Sequence, residues 1–381
     1  MQTLFPEGAC FTVTLYGLAW ANAFPHVNGK VRLKALKEMQ YALKQQHGEA
    51  SIYPFSDTEV RNGVFWLGQR NLLLGRYLAC INPVKRNTAL VQEFHFNSAA
   101  LSEAFLASPT HHLNSYPGLC WPADNVTALV SLKLHDALYG TEYGEAYDAW
   151  KNWTLSHSDP KSGMPAGHLD NESGQHYESA RGCANSWMIA LLSEIDPVFA
   201  GHLYHNYKRN FGIRRLGIRM FREWPQGHEG HGADIDSGPI IWGAGVTATG
   251  VGLATARSQG DLATEADIRD LLKVFGFPQN ISIEEQTTTR YLFDLVPVGD
   301  AFLTWGYSVV RPSSNSSRVP SRMQRIMERW QWFSVIIVCF IFTIAQGVYF
   351  GYVGWRRYRI AHRSMGKGHD RDKSPEQRHA G

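Results

Sequence analysis

Six stretches of the chain hold few or no charged residues on any helical face, and five of them are followed, after a short break, by a stretch with one apolar stripe at helical spacing. The sparsely charged stretches read as helices over Ala9–Phe24, Gly63–Ala79, Asp124–Tyr139, Arg181–Ser193, Pro239–Ala256 and Val298–Val310. The striped ones read as helices over Val31–Gln46, Thr88–Ala107, Tyr143–His157, Asp196–Phe211 and Ala263–Phe275. A helix that is apolar all round is buried, and a striped one lies at the surface with its stripe turned inward. Successive buried members begin 54 to 61 residues apart without visible identity between units, so the repeat is one of structure. The expected fold is all-α, with parallel inner helices ringed by striped outer ones over residues 1–311. Pro239–Ala256 also admits a reading as a membrane span, but its Gly, Ala and Thr content makes it weakly hydrophobic and it falls on the period.

A second kind of segment lies at residues 332–355, where no side chain is charged and aromatics stand at both ends: Trp330 and Trp332, then Tyr349, Tyr352 and Trp355. About twenty residues at 1.5 Å each cross the hydrocarbon core of a bilayer. The segment therefore reads as one transmembrane helix in contact with membrane lipid, between a basic linker at 312–331 and a basic tail at 356–381 expected to be disordered. Five cations follow the span and four precede it, so the positive-inside rule favours an exported domain by one charge. The start MQTLFPEGACFTVTLYGLAWANAF has Glu7 where a secretory signal would carry Lys or Arg. Either an upstream segment is missing from the start, or the domain is cytoplasmic and tail-anchored.

The net charge is +3 and the basic residues thicken only after Arg311, which leaves no surface for nucleic acid. Cys10, Cys80, Cys120, Cys183 and Cys339 show neither CxxC nor metal-finger spacing, and no cofactor is expected.

Connections within pairs are short and those between pairs are long: Ser51–Asn62, Ser108–Ala123, Ser158–Ala180, Gly212–Gly238 and Gly276–Pro297. In a closed ring of such pairs the long connections gather on one rim with the amino ends of the inner helices, whose free N–H groups favour anions or developing negative charge. Long loops of this kind usually form binding sites.

Three rim segments hold most of the chemistry. SYPGLCWPADN places Asp124 as the expected N-cap of the third inner helix, with Trp121 as a stacking wall and Cys120 beside it. MPAGHLDNESGQHYESARGCANSW carries His168, a candidate acid/base, with Glu178, Arg181 and Cys183. Arg181 opposes the dipole of the helix it opens, which calls for a carboxylate partner or an anionic ligand. FREWPQGHEGHGADIDSGPIIWG brings Arg222, Glu223, His228, Glu229, His231, Asp234 and Asp236 before an inner helix. Its His and Asp residues are possible metal ligands, but the spacing matches no zinc motif, and no metal is expected. Paired acids here more readily supply one helix cap and one carboxylate facing the cavity, with pKa values driven apart. On the first inner helix Tyr16 and Trp20 share a face, and core packing is their default role.

The layout of helix pairs resembles the α/α toroids, the (α/α)6 superfold shared by many glycan hydrolases and lyases. The segment YPGLCWPADNVTALVSLKLHD is similar to the linalool dehydratase-isomerase group, in which cysteines, a histidine, an acid and a tyrosine hydrate and isomerise a small terpene alcohol. That resemblance implies Cys120 as the matching cysteine; Leu129 stands about where the group has a second one. The function expected is acid/base hydrolysis or elimination at a C–O bond of a glycan or small hydroxylated substrate. Asp124, His168, Asp234 and Asp236 are the catalytic candidates. Trp121, Arg181, Arg222, Glu223, Tyr16, Cys120 and Cys183 are the candidates to contact substrate. The competing expectation is a non-catalytic, membrane-tethered module that binds a glycan or protein through the same rim.

Overall fold

A computed structural model describes residues 5–228, 232–283, 286–312 and 320–368. The chain divides into two units, Met1–Pro320 and Ser321–Gly381.

In the first unit the inner helices are α1 (Gly8–Ala23), α3 (Gly63–Ala79), α5 (Pro122–Tyr139), α7 (Gly182–Leu192), α9 (Val246–Ser258) and α11 (Pro297–Ser308). The outer helices are α2 (Gly29–Gln45), α4 (Thr88–Ala107), α6 (Glu145–Ser156), α8 (Pro197–Phe211) and α10 (Leu262–Phe275). The inner helices close into a ring, since α1 packs on α3, α3 on α5, α5 on α7, α7 on α9, α9 on α11 and α11 back on α1. Each outer helix packs on the inner helix that precedes it. The segregation follows from side-chain chemistry: nearly every residue of α3 is buried, whereas α2 buries only Ala35, Met39, Ala42 and Leu43. Burying apolar area on both sides of the inner ring is the main driving force. Several polar groups that go inside with it find partners there. Arg70 donates to Glu93 at 2.8 and 2.9 Å and to the Leu43 carbonyl, while Asn71 donates to Ser98 and Ser131.

The long connections are partly folded as antiparallel two-stranded hairpins: β1 (His168–Leu169) with β2 (His176–Glu178), β3 (Gly212–Arg215) with β4 (Ile218–Phe221), β5 (Ile240–Ile241) with β6 (Ala244–Gly245), and β7 (Gln279–Ile283) with β8 (Gln286–Arg290). The sequence reading missed them because they are short. One of them shifts a helix: Pro239–Ala256 was expected to be helical throughout, but α9 starts at Val246. The turn of the preceding hairpin holds Trp242 and Gly243 at φ 52° and 82°, which no helix accommodates.

Among the described residues, side-chain caps occur at three of the five outer helices and at none of the inner ones. Outer helices α4, α8 and α10 are capped by their own Asn87, Asp196 and Asp261 side chains. At the inner helices the residue in the cap position makes no side-chain cap bond. The amino ends of α3 and α7 are instead closed by loops distant in the chain, and that of α9 by the segment just before it. The Asn114 carbonyl accepts from Val64 N, the Glu223 backbone and side chain accept from Gly182 N and Cys183 N, and the Pro239 and Ser237 carbonyls accept from Val246 N and Thr247 N. The rim is thereby stitched together by its own unsatisfied donors.

In the second unit, α12 (Arg322–Glu328) starts in a Ser321/Gln324 capping box and is followed by α13 (Trp330–Gly368). Within α13 the stretch Phe333–Arg359 contains an 18-residue window of mean hydropathy 2.2 and is long and apolar enough to cross a membrane. The helix runs past both expected ends of the span, so the first part of the expected disordered tail, to Gly368, is helical.

Candidate active site

The site is built on the amino ends of α1, α5 and α7 and the loop before α9. Asp124 was expected as the N-cap of α5; it lies instead in the first turn, since Pro122 starts the helix and Trp121 takes the cap position. Its carboxylate accepts a 2.6 Å hydrogen bond from Ser115 Oγ. The loop bearing Ser115 is pinned by Asn125, whose amide oxygen accepts from Leu113 N at 2.8 Å and whose amide nitrogen donates to the Trp121 carbonyl. Glu7, in the cap position of α1, accepts from the hydroxyl of Tyr116.

Electrostatics tie these acids to Asp236. Burial raises the Asp124 pKa to about 7; the Ser115 bond opposes the rise, and the charges of Asp236 and Glu7 add to it. Asp236 is raised to about 6, first by the protein crowded around it, against the pull of Arg181 and with the push of Asp234, Glu7 and Glu178. The Asp236 side chain is nonetheless exposed to water at the rim. Beneath the acids is Cys10, fully buried, its thiol pushed up to about 12 by burial and by Glu7 and Asp124.

Asp234 differs from its neighbour. It accepts from Arg181 at 2.7 Å and from Ser237 N at 2.8 Å. Burial alone would raise its pKa, but these partners outweigh it and hold the carboxyl below its usual range, so Asp234 stays ionised and caps its own turn. Neither it nor Asp236 caps α9, whose cap position is Gly245. Arg181 is buried and also donates to Glu223 at 2.9 Å, with Glu178 at 3.9 Å and the Trp224 ring at 5.3 Å. Of the two roles open to it, carboxylate pairing is the one occupied. Glu223 is 0% exposed and also accepts from the Cys183 thiol at 3.0 Å, so Arg181, Glu223 and Cys183 form one buried bracket between α7 and the loop before α9.

His168 stacks on Trp121 at 5.0 Å and 19°, with Tyr177 on its other side at 5.2 Å and Tyr116 edge-on to Trp121 at 5.8 Å. The four rings make a wall beside the acids. Burial lowers the His168 pKa, so its imidazole is neutral at neutral pH. Its Nε2 is buried without a hydrogen-bond partner.

Three further candidates stand apart. Tyr16 donates to Glu38 of α2 at 2.7 Å and packs on Trp20, between an inner and an outer helix, so its hydroxyl is spent away from the acids. Cys120 is fully buried, so the role implied by the dehydratase resemblance has no exposed thiol to rest on. Arg222 sits at the rim where its carbonyl meets Gly182, and its Nε is buried without a partner. His228 lies 3.5 Å from Ser179 Oγ; Glu229 and His231 lie outside the described residues. Among the described residues no group of three His, Cys, Asp or Glu is placed to hold a metal ion. A cavity of about 320 Å³ lies at the opposite end of the ring, lined by Phe24, Arg32, Arg76 and Cys80, far along α1 and α3 from the acids and without a carboxylate in its lining.

No family model matches the chain. Among solved structures it is similar to an unsaturated glucuronyl hydrolase specific for heparin, with 12% identity, 78% of this chain and 84% of that one covered, and a TM-score of 0.51. The fold is an α/α toroid. A family 76 glycoside hydrolase from a bovine Bacteroides thetaiotaomicron strain is similar at 11% identity over 79% of this chain and 68% of that one, with a TM-score of 0.46. Sequence reasoning quoted Glu7 and Tyr116 but assigned neither to the site. The available signal was that Glu7 precedes the first inner helix much as Asp124 opens the third.

Proposed function

We propose that the protein is a membrane-anchored α/α-toroid enzyme that breaks a C–O bond in a glycan or a small hydroxylated substrate by acid/base catalysis. The observation that carries the reading is the pair Asp124 and Asp236, two rim carboxyls close enough for the charge of Asp236 to act on Asp124, raised to about 7 and about 6. At neutral pH Asp124 is substantially protonated and Asp236 is ionised. Asp124 gives its proton to the departing oxygen. Asp236 takes a proton from an attacking water in hydrolysis, or from the neighbouring carbon in elimination, and solvent restores both. Trp121, with His168 and Tyr177 behind it, offers an aromatic face to a sugar ring, and the Arg181–Glu223–Cys183 bracket holds the wall of the hollow rigid. The fold is one that also carries a glycan hydrolase. Phe333–Arg359 serves as the anchor.

The test is product formation by the full chain from a panel of neutral and acidic oligosaccharides and small alcohols. Asp124→Asn and Asp236→Asn are each expected to reduce turnover by about 10²–10⁴-fold while the circular dichroism spectrum stays unchanged. If both variants keep full turnover on a substrate the wild type converts, the acid/base assignment is wrong. If the wild type binds a glycan from the panel and converts none, the module is a binder.

A further inference from the structure

The segment between the toroid and the apolar helix is itself patterned. In α12 and the residues after it, Met323, Ile326, Met327 and Trp330 follow one another at three- and four-residue spacing and are exposed by 66, 41, 67 and 61%. That spacing puts Met323, Ile326 and Met327 on one face of α12, and Trp330 carries the apolar row into the start of the next helix. Arg322, Arg325 and Arg329 follow at spacings of three and four on another, with Glu328 the sole acid of the segment. The capping box at Ser321 and Gln324 lets so short a helix form locally. Trp330 opens α13, so insertion of Phe333–Arg359 into a bilayer leaves Met323 to Trp330 within about three helical turns of the hydrocarbon edge.

We propose that α12 is an interfacial helix: its Met323/Ile326/Met327/Trp330 face sinks into the acyl boundary of the bilayer and its arginines bind anionic lipid headgroups. An apolar face with a cationic border is the pattern that partitions into the headgroup region, and each cation near an anionic surface adds to the attraction. The occupant is the bilayer because the chain itself delivers the helix there. This inference rests on Phe333–Arg359 being a span, and the control below separates the two.

The test places p-benzoylphenylalanine in the full chain, reconstituted in nanodiscs of phosphatidylcholine with or without phosphatidylglycerol, and identifies photoadducts by mass spectrometry. Met327→p-benzoylphenylalanine is expected to give at least several-fold more lipid adduct than Gln324→p-benzoylphenylalanine, enriched in phosphatidylglycerol above its share of the disc. Adding Arg325→Gln and Arg329→Gln is expected to return that composition to the bulk ratio. Equal lipid adducts at 324 and 327, adducts from 327 to toroid peptides, or no enrichment of the anionic lipid would overturn the proposal. Ile341→p-benzoylphenylalanine, inside the span, is the control. Lipid adducts there without adducts at 327 sink the interfacial helix alone, and their absence at 341 sinks the span with it.

Discussion

Tyr116 and Glu7 lie 109 residues apart and are joined by a hydrogen bond that ties the loop before α5 to the first residue position of the inner ring. The carboxylate so held is the one whose charge raises both Asp124 and Asp236. Removing that charge in Glu7→Gln should therefore lower both values, and the pH–rate profile should move to lower pH with its shape kept. An unshifted profile would mean that Glu7 does not share the hollow with the two acids.

Asp124 also couples stability to pH. Its carboxyl is raised from 3.8 in the unfolded chain to about 7 in the native state, so the folded protein binds the extra proton between those values. Its contribution is present in full below about pH 4 and is lost as pH rises towards 7, because the native state holds more protons than the unfolded one over that window. Asp124→Asn should flatten the fall in Tm across this window and raise Tm relative to wild type at pH 8. Thermal unfolding followed at several pH values measures it.

The bracket between α7 and the loop before α9 is a buried ion pair. Deleting one partner of such a pair leaves the other charge uncompensated, at a cost of about 3–5 kcal/mol. Arg181→Met exposes that cost, since Glu223 is 0% exposed. Denaturant unfolding should show the loss, and Arg181→Met with Glu223→Met should recover much of it. A single variant as stable as wild type would remove the bracket from the account of the rim.

Gly63 has φ 69° and approaches Ser115 so closely that an added Cβ would lie 2.1 Å from the Ser115 carbonyl oxygen. Gly63→Ala must move that loop or strain the backbone, which costs on the order of 1–3 kcal/mol. Ser115 Oγ is the donor to Asp124. The substitution is therefore expected to lower Tm and kcat together, whereas Gly29→Ala, at φ 51° with open space around it, should lower Tm slightly and leave kcat alone.

The expected boundaries of α3 and α4 coincide with the observed ones, and those of α1, α2, α5, α6, α7, α8, α10 and α11 fall within two residues at each end. Periodicity is local information: whether a face is apolar is written in residues three and four apart, and burial follows because water excludes that face. The same information separated inner from outer helices and so implied a closed ring. It misjudged α9, where hairpin residues with positive φ look apolar and helical by pattern alone.

The amino-acid sequence by itself determined the ring of helix pairs, the apolar helix at the C-terminal end and the rim segments where acids collect. Which acids meet was decided only by the tertiary structure. Asp234 and Asp236 are indistinguishable in sequence, yet one is hydrogen-bonded by Arg181 from 53 residues away and stays ionised, while the other is raised by burial and by Asp234, Glu7 and Glu178 against the weaker pull of Arg181. Local pattern cannot report this, because a carboxyl's protonation depends on desolvation and on charges brought near by folding, and α3 and α7 take their amino-end partners from loops far along the chain.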